Sequence, residues 1–115
     1  MESGPPHKAL AEAIRRKKAH RSRFWSAILE AVEKPRSRRP SVDLGRLARF
    51  GREDKIVVVP GKVLGSGSLD KKLRIAALSF SQSAKKKVER AGGECLTITS
   101  LLEERVEGKD LMIIG

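Results

Sequence analysis

Four β-branched residues, Ile56, Val57, Val58 and Val59, follow one another without a break. Side chains of this kind suit a pleated, packed surface better than a helix. An unbroken apolar run of this length is the pattern of a strand buried on both faces. Pro60 is expected to stop the strand, because proline has no N–H to give to a ladder. Gly61, Gly65 and Gly67 follow, with Lys62 between the first two, and a second strand-like run extends from Leu73 to Phe80. The stretch KIVVVPGKVLGSGSLD, Lys55 to Asp70, is therefore a hydrophobic strand feeding a glycine-rich, basic loop.

Two readings compete for that loop. In one it only joins two strands, with glycines at its turns and Lys62, Lys71 and Lys72 solvated. In the other it approaches phosphate. A nucleotide-binding P-loop needs G-x-x-x-x-G-K followed by Ser or Thr. Gly61-Lys62 supplies the end of that pattern, but Ile56 stands in place of the first glycine and Val63 in place of the hydroxyl. The dinucleotide pattern G-x-G-x-x-G fails at Asp70. A small-molecule phosphate cradle is disfavoured, and the phosphate backbone of a polymer remains open.

Charge supports a polymeric anion as partner. The 115 residues carry a net charge of +11, and its distribution is uneven. Residues 1–52 hold 14 Lys and Arg against 5 Asp and Glu, and residues 53–115 hold 11 against 9. The chain is expected to comprise basic N-terminal helices with an arginine-rich connector, 1–40, and a compact α/β domain, 41–115. Cys95 is the single cysteine. It lies in an apolar-leaning run, as a small core residue would, and the two histidines, His7 and His20, stand far from it in the basic part. A thiol catalyst is disfavoured, and a reduced thiol fits the cytosol. With no apolar run longer than four residues, neither a membrane span nor a signal-peptide core is expected.

At the N-terminus, Met1–Pro6 has no apolar pattern. From Lys8 the spacing becomes helical, with Leu10, Ala13 and Ile14 on one face. Arg15, Arg16, Lys17, Lys18, Arg21 and Arg23 then place six cations in nine residues with no acid among them. Trp25, Ile28, Leu29 and Val32 form the stripe of a second helix, with Ser22 as its N-cap. Pro35 ends it at Lys34. KPRSRRP follows, with Lys34, Arg36, Arg38 and Arg39 on a proline-bounded extended connector suited to paired hydrogen bonds with phosphates. Asp43 caps a helix from Leu44 to Phe50, with Leu47 and Phe50 inward and Gly51 closing it. Ser79 or Ser81 caps a helix from Gln82 to Ala91, with Lys85, Lys86 and Lys87 along its exposed side. Gly92-Gly93 ends that helix. A strand is expected over Glu94–Ile98. Ser100 and Glu103 form a capping box for a helix to about Val106, Gly108 breaks it, and Leu111–Ile114 is the last strand. Strands alternating with helices beyond residue 40 give an α/β class.

EKPRSRRPSVDLGRL, VVVPGKVLGSGSLD and AALSFSQSAKKKVERAGGE, taken together and in this order, resemble the archaeal and eukaryotic "eighteen-e" family of large-subunit ribosomal proteins. That family is a sister of the bacterial ribosomal protein "L fifteen". The likeness runs from about Leu10 to Ile114, and the length is of the archaeal type. The resemblance implies a structural, non-enzymatic constituent of the large subunit that binds rRNA, without cofactor, metal or small-molecule substrate, among neighbouring large-subunit proteins in the cytoplasm. It implies an irregular strand–strand–helix superhelix with an N-terminal helical, basic extension. Carried over by position, it directs Lys34, Arg36, Arg38, Arg39 and the loop around Lys62 toward RNA, and Lys71 and Lys72 join them as RNA-binding candidates. It bears less directly on the run Arg15 to Arg23. The residues agree on chemistry: aromatics are 3% of the chain, and Phe24, Trp25, Phe50 and Phe80 mostly fall on core-facing positions. Recognition by shape and backbone, not by base stacking, is the expectation. A non-ribosomal nucleic-acid binder, including one for duplex DNA, and a phosphate-handling enzyme built on Gly61–Gly67 are the alternatives.

Overall fold

The computed structural model describes residues 6–17, 22–35, 39–104 and 108–115. The chain divides into two compact units, Met1–Arg39 and Pro40–Gly115.

The first unit contains two helices packed on each other, α1 (Pro6–Arg16) and α2 (Arg23–Glu33). α1 buries Leu10, Ala11 and Ile14, and α2 buries Trp25, Ile28 and Val32, each a stripe at three- and four-residue spacing. Ser22 is the N-cap of α2, its Oγ accepting the Trp25 N–H at 3.0 Å. At the other end Lys34 has left the helix (φ −70°, ψ 151°), as a residue before proline must.

The second unit is an α/β layer: β1 (Ser41–Asp43), α3 (Leu44–Phe50), β2 (Ile56–Leu64), β3 (Arg74–Phe80), α4 (Gln82–Arg90), β4 (Glu94–Thr97), α5 (Ile98–Glu104), a 3-10 turn at Gly108–Asp110, and β5 (Leu111–Ile113). The five strands form one sheet, and every described pairing is parallel. β2 is the axis. β3 runs along one of its edges, while the other edge is shared by β5, against Ile56–Val58, and β1, against Lys62–Leu64.

This sharing corrects the expectation that Pro60 stops the strand. β2 continues through Pro60 to Leu64. The proline sits where β5 has ended and β1 has not begun, and where the register with β3 shifts between Val59 and Lys62. A missing N–H costs least at such a break in the ladder. Gly61 beside it is required by proximity: a Cβ there would lie 1.9 Å from the Pro40 carbonyl oxygen, which accepts the Lys62 N–H.

One face of the sheet, with Val57, Val59, Val63, Ile75 and Ala77, is covered by Leu44 and Leu47 of α3, Ala84 and Val88 of α4, and Leu73. On the other face Val58 and Ala76 are also fully buried, and α5, lying against β3 and β4, buries Ile98, Leu101 and Leu102. Burial on both sides accounts for the unbroken β-branched run in β2.

The connection from β2 to β3, residues 65–73, contains no helix, although a parallel crossover usually takes about a dozen residues or more. It runs close to α3 and α4. Gly45 N–H donates to Ser66 O at 3.2 Å, and the Lys87 ammonium of α4 donates to Gly65 O at 2.7 Å and Gly67 O at 3.0 Å. Lys87 is thus half-buried in a structural role, whereas Lys85 and Lys86 are exposed as expected.

Other differences are local. β1 has no signal in the sequence pattern: it has three residues and follows directly on a proline. The N-cap of α4 is Ser81, whose Oγ accepts the Ala84 N–H. α5 begins earlier than the Ser100–Glu103 pattern suggests, because Thr97 Oγ1 accepts the Ser100 N–H at 3.1 Å and takes the capping role. Val106 lies outside the described residues. No helix among the described residues is long and apolar enough to cross a membrane.

Candidate RNA interface

The front cations do not form a single bare stripe. Arg15 and Arg16 occupy the last turn of α1, where the helix dipole favours positive charge, and Lys17 follows in a turn. All three are exposed. Arg15 is ion-paired with Glu33 of α2, so a distant acid supplies the balance absent from its own run. Arg23 is exposed in the first turn of α2, where the dipole opposes a cation. Lys18 and Arg21 lie outside the described residues.

In the connector, Lys34 is exposed and Arg39 is half-buried, its Nη2 donating to Val32 O at 3.0 Å. Arg39 therefore satisfies a carbonyl in the last turn of α2. Arg36 and Arg38, the other two members of the set, lie outside the described residues.

The second unit separates the three loop lysines. Lys62 projects from β2, exposed, between buried Gly61 and Val63. Lys72 is exposed, with its side chain alongside Gly92. Lys71 is half-buried and donates from Nζ to Gly51 O at 3.1 Å. The glycines between them face the protein itself. A Cβ on Gly65 would meet Ser83 Oγ at 2.0 Å, and Gly67, at φ +86°, lies against the backbone of Gly45. The missing Cβ of Gly65 and the positive φ of Gly67 serve to pack the crossover on α4 and α3, and that disfavours a phosphate-handling loop.

Phe50 departs furthest from the sequence reading. The spacing places it inward with Leu47, yet it is 52% exposed. At about 100° per residue, Phe50 has turned roughly 60° past Leu47 and roughly 120° from Leu44. A helix as short as α3 buries Leu44 and Leu47 and leaves Phe50 outside. The guanidinium carbons of Arg46 and Arg49 stand 5.8 and 5.9 Å from its ring centroid. Spacing alone misses this cluster, but projecting the full rotation of LGRLARF would have found it. Of the other aromatics, Trp25 is buried, Phe24 meets it edge-to-face at 5.3 Å, and Phe80 packs partly against the core.

Cys95 also packs partly against the core. Burial, with Glu89 nearby, raises its thiol pKa, and Lys85 offsets this in part. It is held as the protonated, unreactive form, in keeping with a packing role.

The sequence model of the family described as ribosomal protein 60S L18 and 50S L18e matches residues 10–115. The chain belongs to this family. Among its L18e relatives, the large ribosomal subunit protein eL18 of Methanothermobacter thermautotrophicus is 46% identical over 91 residues, covering 79% of this chain and 75% of the relative. That of Methanopyrus kandleri is 45% identical over 121 aligned residues, covering 97% of this chain and 95% of the relative. That of Halobacterium salinarum is 43% identical over 90 residues, covering 78% and 77%.

The matched range of this L18e chain begins at Leu10, a buried residue of α1, and includes every strand of the sheet. Within it, Lys34, Lys62, Lys72, Arg46 and Arg49 carry exposed cationic side chains. Such groups hold phosphates by charge-assisted hydrogen bonds without reading a base.

Proposed function

We propose that this chain is a structural constituent of the large ribosomal subunit that binds rRNA mainly through backbone and shape. The observation that carries the reading is the family match over residues 10–115, joined by relatives named as large-subunit proteins, one of which aligns with nearly the whole chain. The net charge of +11 fits an RNA partner. The rRNA-facing set comprises Lys34, Arg36, Arg38, Arg39, Lys62 and Lys72, with a smaller share for Arg15, Arg16, Lys17, Lys18, Arg21 and Arg23. Lys71 supports the loop from behind through Gly51. The role is non-enzymatic: the glycines of the central loop are engaged by the protein's own atoms. Other large-subunit proteins are its neighbours, and it works in the cytoplasm on the ribosome. Residues 1–40 act as a basic appendage and 41–115 as the folding domain.

Sedimentation tests this. Tagged protein in growing cells should travel with large subunits and whole ribosomes through a sucrose gradient and be absent from free small subunits. Protein found only in the soluble fraction at the top of the gradient would refute the reading.

A further inference from the structure

We infer that Phe50, Arg46 and Arg49 of α3 form a base-stacking contact for an unpaired rRNA nucleotide, Phe50 taking the face of the base and the two arginines its flanking phosphates. The inference rests on the proposed rRNA binding and adds a contact to a base to what is otherwise a backbone interface.

Phe50 is the one large aromatic among the described residues that stands mainly in water. The Arg46 and Arg49 guanidiniums lie over its ring at cation–π distance, so a base takes a ring face as a guanidinium swings out to a flanking phosphate. Among the described residues neither arginine is ion-paired. The acids close by in sequence are engaged elsewhere: Asp43 caps α3 through Oδ1 on the Arg46 N–H at 2.9 Å, Glu53 accepts the Lys72 N–H at 3.4 Å, and Asp54 holds Arg52 through two hydrogen bonds. Arg46 Nη2 makes only a long approach to Gly115 O, at 3.4 Å. The helix LGRLARF contains no acid at all.

The choice between RNA and a protein partner follows from solvation. An apolar protein pocket that received Phe50 would strip water from two guanidiniums and return nothing to them. A nucleotide gives each group a partner: a π face for the ring and phosphate oxygens for the forks of the arginines. Stacking on an aromatic tolerates any base, so the contact needs an unstacked nucleotide and not a particular sequence.

The test is filter binding of the full chain to a large-subunit rRNA transcript, with thermal melts of each variant. Phe50→Ala and Phe50→Leu should each weaken binding about 5-fold or more, while Phe50→Trp stays within about 2-fold of wild type. The salt slope of Phe50→Ala should match wild type, and Arg46→Gln with Arg49→Gln should lower it by about one to two units. Wild-type protein that fails to bind the transcript would overturn the rRNA reading itself. Wild-type binding with Phe50→Ala and Phe50→Leu equally tight would overturn the stacking contact alone. Retention by Phe50→Leu would reduce Phe50 to an apolar contact, against the inference. Phe50→Ala that binds rRNA normally yet stays out of large subunits would point to a protein neighbour, also against it.

Discussion

Gly45 and Gly61 have opposite environments, and substitution at the two should have opposite effects. A Cβ on Gly45 would meet only Asp43 Oδ1, at 3.4 Å, whereas one on Gly61 would collide with the Pro40 backbone. Gly45 lies within α3, where glycine costs about 0.5–1 kcal/mol relative to alanine. Gly45→Ala should therefore raise stability by about that amount, and Gly61→Ala should lower it by about 1–3 kcal/mol through overpacking. Urea unfolding measures both, and a neutral Gly61→Ala would contradict the close approach at Pro40. The arginines divide in the same way. Arg36→Ala with Arg38→Ala should lower the magnitude of the rRNA salt slope by about one and a half to two units, with little change in melting temperature. Arg39→Ala should also loosen the end of α2, because it removes the bond to Val32 O. A double variant with an unchanged slope would remove Arg36 and Arg38 from the interface.

At the scale of elements, the crossover from β2 to β3 depends on its neighbours. Lys87 holds two of its carbonyls from α4. Lys87→Met keeps the aliphatic stem but deletes both bonds, and should cost about 1–3 kcal/mol. Amide exchange should accelerate first at the crossover and at Gly45, whose N–H is given to Ser66 O. Uniform acceleration across the sheet would argue against a local clamp. The sequence disclosed the elements with strong local signals: the bounds of α3, the Ser22 and Asp43 caps, and the termination of α4 at Gly92, which adopts φ +88°. What it hid depended on distant partners. β1 exists because Lys62–Leu64 pair with it, and Pro60 is tolerated because two strands divide one edge of β2. The residues of the candidate interface were legible to a similar depth. The cations were visible as composition, but the engagement of Lys71, Lys87 and Arg39 by carbonyls elsewhere, and the outward Phe50, follow from tertiary placement.

For the molecule as a whole, the boundary between Arg39 and Pro40 supports a fragment test of the proposed domains. Residues 40–115, keeping the Pro40 carbonyl that accepts the Lys62 N–H, should melt in a single cooperative transition and bind rRNA far more weakly than the full chain. A fragment without a cooperative melt would defeat that division. The parallel topology also sets an order of events during synthesis. Ile56 pairs with Leu111, so the middle of the chain waits for residues made 55 positions later before its ladder is complete. Contacts so distant in sequence close slowly. A nascent chain carrying β2 and β3 but not yet β5 exposes an apolar strand edge, the kind of surface that invites aggregation. The basic segment leaves the translating ribosome ahead of the sheet-forming residues, so the part of the newborn protein with the greatest charge is available to an anionic polymer before the sheet has closed.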